Sequence, residues 1–336
     1  MPIISSSSLM QLALQALVNA GASAVMARTT AQALVAAEMQ GLASHGLGRL
    51  EAYRAHLRNG RANGAAEPVV LKHKGAVLLV DARQGLAYPA CQLAISLAID
   101  TARQQGVAFA AVANSHHFGA AANQLLPAVE QGLIGLAFGN SPAAMPAWGG
   151  KRALLGTNPL AAVFPRRGQD PLIMDMSLSA AARGKLVVAE RNGQAIPEGW
   201  ALDADGQPTT DPKAGLAGTL LAAGGLKGTL LAIMIELLAA ALTGSNFGYE
   251  ADSFLTKEGR APQVGQVFLL IDPAALAGRD VYLDRVEALV DAMLGDEGVR
   301  LPGASRLARQ QAAQAHGIDI PEALLNALRD WAGAPV

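Results

Sequence analysis

Between residues 75 and 138 the chain alternates two kinds of apolar run. "GAVLLVDA" (75–82), "VAFAAVA" (107–113) and "LIGLAF" (133–138) are short and nearly continuous, the pattern of buried strands. Between them, "PACQLAISLAIDTARQQG" (89–106) and residues 119–132 space their apolar positions as helices do. Strand and helix in alternation commit the middle of the chain to an α/β architecture, a sheet covered by helices. The composition supports this: 51% hydrophobic residues supply a large core, while only 4% are aromatic. With Ala and Gly abundant instead, the core must be built from closely approaching helices and Gly-rich loops. A length of 336 residues suits about two domains or one large α/β unit.

Helical spacing also predicts helices over 8–21, 29–42 and 46–59, ahead of the alternating region. After it come short strand candidates at 159–164 and 171–175 and a polar turn at 203–212. An apolar helix over 230–244 and a buried strand over 264–273 follow, and roughly the last 55 residues read as helical. The turn opens as D-x-D-G, but no Glu stands where the twelfth ligand of a calcium loop belongs. The N-terminus lacks a basic n-region and reads as a Ser-capped helix, not an export signal. "LLAIMIELLAAALTG" (230–244) is shorter than the ~20 residues of a membrane span and carries Glu236 in its middle, so it reads as a core or subunit-interface helix. A soluble, cytoplasmic protein with no membrane contact is expected. A net charge of −1 without a basic run argues against a nucleic-acid partner. The single Cys91 excludes an internal disulfide framework and a cysteine metal site.

Three constellations hold the chemistry. In "GLASHGLGRLEAYRAH" (41–56), Ser44 is placed to cap a short helix on which His45 and Arg49 share one face. An imidazole titrating near neutrality suits proton donation, and a guanidinium one turn away suits a planar carboxylate. A solvated surface helix fits the same spacing. In "NSHHFGAA" (114–121) two adjacent histidines, His116 and His117, fall where a strand hands over to a helix; neighbours point different ways, so one is expected to face a site and the other to be structural. No further ligands accompany them in a metal-binding pattern, and no metal is expected. The third group, "GTNPLA" (156–161), "MDMSLSAAARGK" (174–185) and "GGLKG" (224–228), offers backbone N–H groups at helix starts that suit phosphate oxygens, with Lys227 adding charge; plain turns and caps read alike. No G-x-G-x-x-G follows the first strand, and "GGLKGT" lacks P-loop spacing, so a nucleotide would need another scaffold.

In this order "ASHGLGR", "NSHHFGAA", "GTNPLA", "DMSLS", "GGLKG" and "LPGASR" resemble the malate/L-lactate dehydrogenase family of non-Rossmann type, over roughly residues 8–310. The resemblance implies an α/β (α+β) fold with a non-Rossmann, mixed-sheet NAD(P)-binding core and helical N- and C-terminal parts. Boundaries of 1–72, 73–272 and 273–336 are expected, the last segment packing on the first. It implies a homodimer using NADPH or NADH on a small-molecule carboxylate substrate. By the same resemblance His45 is the proton donor, Arg49 the contact to the substrate carboxylate, with Ser44 beside them, and His117 lines the pocket toward substrate or nicotinamide. The cofactor is expected along Met174, Asp175, Met176, Ser177, Leu178, Ser179 and Ala180, with Leu226 and Lys227, and at the turn Gly303, Ala304 and Ser305. Gly119, Thr157 and Asn158 are expected nearby.

Among the family's branches, "DADGQPTTDPKA", "ELLAAALTGSNFGYEAD" and "NSHHF" look most like the Δ1-piperideine-2-carboxylate/Δ1-pyrroline-2-carboxylate reductases. The chain departs from them at Lys185, where those reductases carry an acid, and "MDMSLS" is closer to the sugar keto-acid reductases. The alternatives are a 2-hydroxy-acid dehydrogenase of malate, lactate or 2,3-diketogulonate type, and a non-catalytic dimer that binds a small acid or nucleotide.

Overall fold

The computed structural model of the chain describes residues 2–334. Helices α1 (Ser6–Val18) and α2 (Ala24–Met39) each begin at a serine that accepts a first-turn N–H, Ser5 Oγ from Ser8 at 3.2 Å and Ser23 Oγ from Met26 at 3.3 Å. Their buried faces are rich in alanine (Ala13, Ala16, Ala27, Ala31), so the two backbones approach closely around Leu9, Leu17 and Leu34.

The predicted helix over 46–59 is interrupted. Two 3-10 turns, Ala43–His45 and Leu47–Arg49, precede α3 (Leu50–Arg58). The reason is Glu38 at the end of α2. Its carboxylate accepts the Leu47 N–H at 2.8 Å and fills the space a Cβ on Gly46 would need. Gly46 is therefore extended, with φ −93° and ψ −150°.

The short strand β1 (Ile3–Ile4) pairs far along the chain with β12 (Ile318–Asp319). The main sheet collects β2 (Val69–Lys74), β3 (Val77–Asp81), β4 (Val107–Ser115), β5 (Ile134–Gly139), β6 (Leu160–Phe164), β7 (Leu172–Met176) and β11 (Val264–Ile271) in the order β2-β3-β4-β11-β5-β6-β7. Only β3 and β4 run parallel; every other pair is antiparallel, so the sheet is mixed. Strand β2 escapes prediction because all six residues of "VVLKHK" are exposed and no apolar face marks it. A second small sheet, also unpredicted, joins β8 (Ala201–Leu202), β9 (Pro208–Thr209) and β10 (Thr219–Leu220).

One face of the main sheet is covered by α4 (Ala87–Gln105) and α5 (Ala121–Glu130); α4 turns Ala87, Ala90, Ala94, Ala98 and Ala102 inward. The other face carries α6 (Arg183–Arg191), α7 (Pro212–Ala217) and α8 (Leu226–Glu236), the last running into a π turn at Leu237–Ala241. Helices α9 (Arg279–Leu294), α10 (Ala304–His316) and α11 (Glu322–Ala332) end the chain, with Leu325 and Leu328 of α11 buried against α1 and α2. Among the described residues, no helix is long and apolar enough to cross a membrane.

Candidate active site

The break before α3 creates the site. Instead of capping a helix, as expected, Ser44 turns its hydroxyl to His45 Nδ1 at 2.9 Å, and its carbonyl accepts from Arg49 Nε at 2.6 Å. This fixes the imidazole and the guanidinium against each other, although they lie on two turns and not on one helical face. The terminal nitrogens of Arg49 have no hydrogen-bond partner among the described residues. The His45 ring stacks on His117, with centroids 5.4 Å apart and planes 23° from parallel. Burial, then the charges of Arg49 and Arg306, pull the His45 pKa down to about 4. The resting imidazole is neutral.

The two adjacent histidines, just past the end of β4, diverge. His117 directs Nδ1 to the Tyr53 hydroxyl at 2.5 Å, while Tyr53 meets Tyr88 at 3.1 Å. His116 points the other way and pairs its Nε2 with His56 Nδ1 at 2.9 Å. Burial holds both neighbours well below the ordinary histidine range, helped by Arg49 at His117 and by His56 at His116. Beyond His56, the Thr256 carbonyl accepts from His56 Nε2 at 2.7 Å and from Arg61, which also donates to Ser253 O and Arg260 O at 3.1 Å each. This strap carries Phe254 onto both histidines, its ring 5.3 Å from each. Phe254 forms a wall of the cluster.

The remaining motifs meet at the end of β7. Leu178 N donates to Thr157 O at 2.8 Å, Ala223 N to Leu178 O at 2.8 Å, and Ala180 N to Leu221 O at 2.7 Å. The segment Met174–Ala180 thus binds "GTNP" on one side and the start of α8 on the other. On its third side Ile173 N donates to Pro302 O at 3.0 Å, next to the Gly303–Ser305 turn. Arg306, one residue past that turn, pairs with Asp175 at 3.1 Å. Burial raises the Asp175 pKa, against the opposing pull of Arg306. Asp175 also accepts the Ala122 N–H at 3.3 Å, which ties this edge to the start of α5, and the Arg306 charge contributes to lowering the His45 pKa. Asn158 is buried, with its amide spent on Ala232 O, Glu236 and Ser141 N; it shapes the Thr157 turn from inside. At its other end, the edge leads to α8, which starts at Gly224–Gly225 without a side-chain cap, so the first-turn N–H groups of Leu226 and Lys227 are unspent. That start, the exposed Lys227 and the small Ser177–Ser179 stretch suit a diphosphate.

The model of the malate/L-lactate dehydrogenase family matches residues 4–329. The chain belongs to that family. Family membership makes it an oxidoreductase. It is 49% identical over 321 residues to the (2R)-3-sulfolactate dehydrogenase (NADP(+)) of Chromohalobacter salexigens, covering 96% of this chain and 95% of that protein. To the Δ1-pyrroline-2-carboxylate/Δ1-piperideine-2-carboxylate reductase of Pseudomonas syringae pv. tomato it is 41% identical, over 93% of this chain and 91% of that one. A solved Δ1-piperideine-2-carboxylate reductase from Pseudomonas syringae pv. tomato superposes with a TM-score of 0.93 at 38% identity, covering 98% of this chain and all of that one. Against this family fold, sequence reasoning missed Tyr53, Tyr88, Arg306, His56 and Phe254. Two of these had a readable signal: Tyr53 stands one turn after Arg49, and Arg306 closes "LPGASR". His56 closes the 41–56 constellation but carried no role there, and Tyr88 and Phe254 come from segments with no motif of their own.

Proposed function

We propose that the protein is an NADP-dependent dehydrogenase of a 2-hydroxy acid that carries a second anionic group, with 3-sulfolactate as the leading candidate. The observation that carries this is the charge around His45. Arg49 stands beside it with terminal nitrogens that have no hydrogen-bond partner among the described residues, while Arg306 is already paired with Asp175. An unpaired guanidinium beside the reacting group suits an anionic hydroxy acid better than a protonated cyclic imine, whose ring is itself positive. The 49% identity to a sulfolactate dehydrogenase and the Lys185 departure from the imine reductases support the same choice.

When bound along Met174–Ala180, NADP(H) supplies or accepts the hydride at C2 of the substrate. Arg49 grips the substrate carboxylate through its free nitrogens and orients C2. His45 holds Nδ1–H toward the Ser44 oxygen and takes the hydroxyl proton on Nε2 during oxidation. In reduction it returns that proton, and the bound anion offsets Arg49 and so raises the His45 pKa. The stacked His117 covers one face of the His45 imidazole, and Phe254 packs on His117 in turn.

The reading extends to the assembly and location: a homodimer of the cytoplasm. Leu230, Met234, Leu237 and Leu242 expose 56%, 41%, 55% and 61% of their area on and beyond α8, next to the cofactor edge. A second copy of the chain covers this face. Turnover measured on sulfopyruvate, oxaloacetate, pyruvate, 2,3-diketogulonate and Δ1-piperideine-2-carboxylate, with NADPH and NADH, tests the substrate. Highest kcat/KM on sulfopyruvate is expected; highest on the cyclic imine would favour the second reading, supported by the 41% relative.

A further inference from the structure

Tyr53 and Tyr88 are both buried and form a chain that ends on a site histidine. Tyr88 Oη lies 3.1 Å from Tyr53 Oη, and Tyr53 Oη lies 2.5 Å from His117 Nδ1. Among the described residues the Tyr88 hydroxyl has no other partner, and the Gly119 backbone closes over it: a Cβ there would stand 2.7 Å from the oxygen. Gly119 also has φ +73°, so this position takes glycine on both counts.

Each hydroxyl carries one proton, and three patterns of donation exist. If His117 donates from Nδ1 to Tyr53, one proton is left buried without an acceptor: that of Tyr88 when Tyr53 donates to it, or that of Tyr53 when Tyr88 donates as well. If Tyr88 donates to Tyr53 and Tyr53 donates to His117 Nδ1, every proton is used. We propose that Tyr88 and Tyr53 are positioning residues that lock His117 as its Nε2–H tautomer, making it a hydrogen-bond donor to a substrate oxygen and leaving proton exchange to His45. Nε2 of His117 has no protein partner among the described residues and is not a buried orphan, so it is the ring nitrogen open to solvent. The two stacked imidazoles thereby take different parts: one exchanges a proton, the other only donates a hydrogen bond.

The functional part of this assignment rests on reading the cluster as a hydroxy-acid dehydrogenase site; the tautomer does not. Full-length enzyme labelled with nitrogen-15 in histidine, with His117 assigned by loss of its signals in His117→Gln, reads the tautomer without substrate. The Nε2–H form is expected in the native protein and a mixture of tautomers in Tyr53→Phe and Tyr88→Phe. An Nδ1–H form in the native protein, or an Nε2–H form undisturbed in both variants, overturns the proposal. With the best substrate of the panel, Tyr53→Phe should lower kcat/KM about tenfold, mostly through KM, with NADPH affinity by fluorescence unchanged. Loss of NADPH affinity instead would contradict the role at the substrate oxygen. Should Tyr53→Phe fold poorly, Tyr88→Phe, further from the cleft, carries the same test. If no substrate turns over, the proposed function fails while the tautomer is still decided.

Discussion

Two polar clusters lie within this fold, and they differ in what they leave unspent. Glu236, on the last turn of α8, is 3% exposed and accepts from four N–H groups: Gly156 N, Asn158 Nδ2 and Asn140 Nδ2 at 3.1 Å each and Gly248 N at 3.2 Å. A carboxylate has about four lone-pair directions, and all are used. The His45 cluster instead ends in atoms without a hydrogen-bond partner among the described residues: the terminal nitrogens of Arg49, Nε2 of His45 and Nε2 of His117. A saturated cluster holds shape, since any movement breaks a bond that water cannot replace. An unsaturated one at a cleft has capacity left for a ligand. The Glu236 cluster serves the other one indirectly, by fixing the Thr157 turn and the start of the loop that carries Phe254.

Breaking each cluster should therefore fail in its own way. His45→Ala is expected to lower kcat by ~10²–10⁴-fold on the best 2-oxo acid, with NADPH binding and the thermal midpoint preserved. Unchanged turnover would remove His45 from the chemistry. Glu236→Ala strands several buried N–H groups and should cost about 3 kcal/mol or more, read as a drop of several degrees in the thermal midpoint. A fully stable Glu236→Ala enzyme would show that the four bonds contribute no net stability. Arg49→Met should raise KM for carboxylate substrates roughly 10–100-fold at nearly unchanged stability, because its free nitrogens serve no protein acceptor. An effect confined to NADPH affinity would place Arg49 on the cofactor instead.

The smallest effect near neutrality is in pH. With the His45 pKa drawn down to about 4, the free enzyme holds the neutral base throughout the physiological range. Hydroxy-acid oxidation should then show kcat/KM that is level on this group's account from about pH 8 to pH 5 and falls as pH drops through its pKa. The reverse direction needs the protonated form, so its kcat/KM should fall as pH rises. The kcat profile should show a higher pKa than kcat/KM, because bound anion offsets Arg49. Equal values in both profiles would mean that the substrate does not shield His45 from that charge.

Much of the fold was legible in local pattern. Strands β3, β4 and β5 and helices α4 and α5 follow directly from apolar spacing, as does the buried β11. The exposed β2 did not show itself because periodicity reports burial, and this edge strand has none. In the candidate site, His45, Arg49 and His117 were legible as residue types in motifs, but their grouping was not. The break at Gly46 depends on Glu38 from the preceding helix, and a spacing argument along one helix contains no term for that. Asn158 shows the same limit from the other side: its motif marked it for a ligand, while the fold spends its amide on Glu236 and Ala232.

The sequence alone determined where the buried strands and most helices form, since backbone periodicity and serine caps act over a few neighbouring residues. It also placed the chemistry-bearing side chains in six ordered motifs. Only the tertiary structure decided which atoms of those side chains remain free, because hydrogen-bond valence is consumed across long separations: Tyr53 on His117, Arg306 on Asp175, Glu236 on Gly156. A residue's type gives its capacity for chemistry, and the packed chain fixes how much of that capacity is left for a substrate.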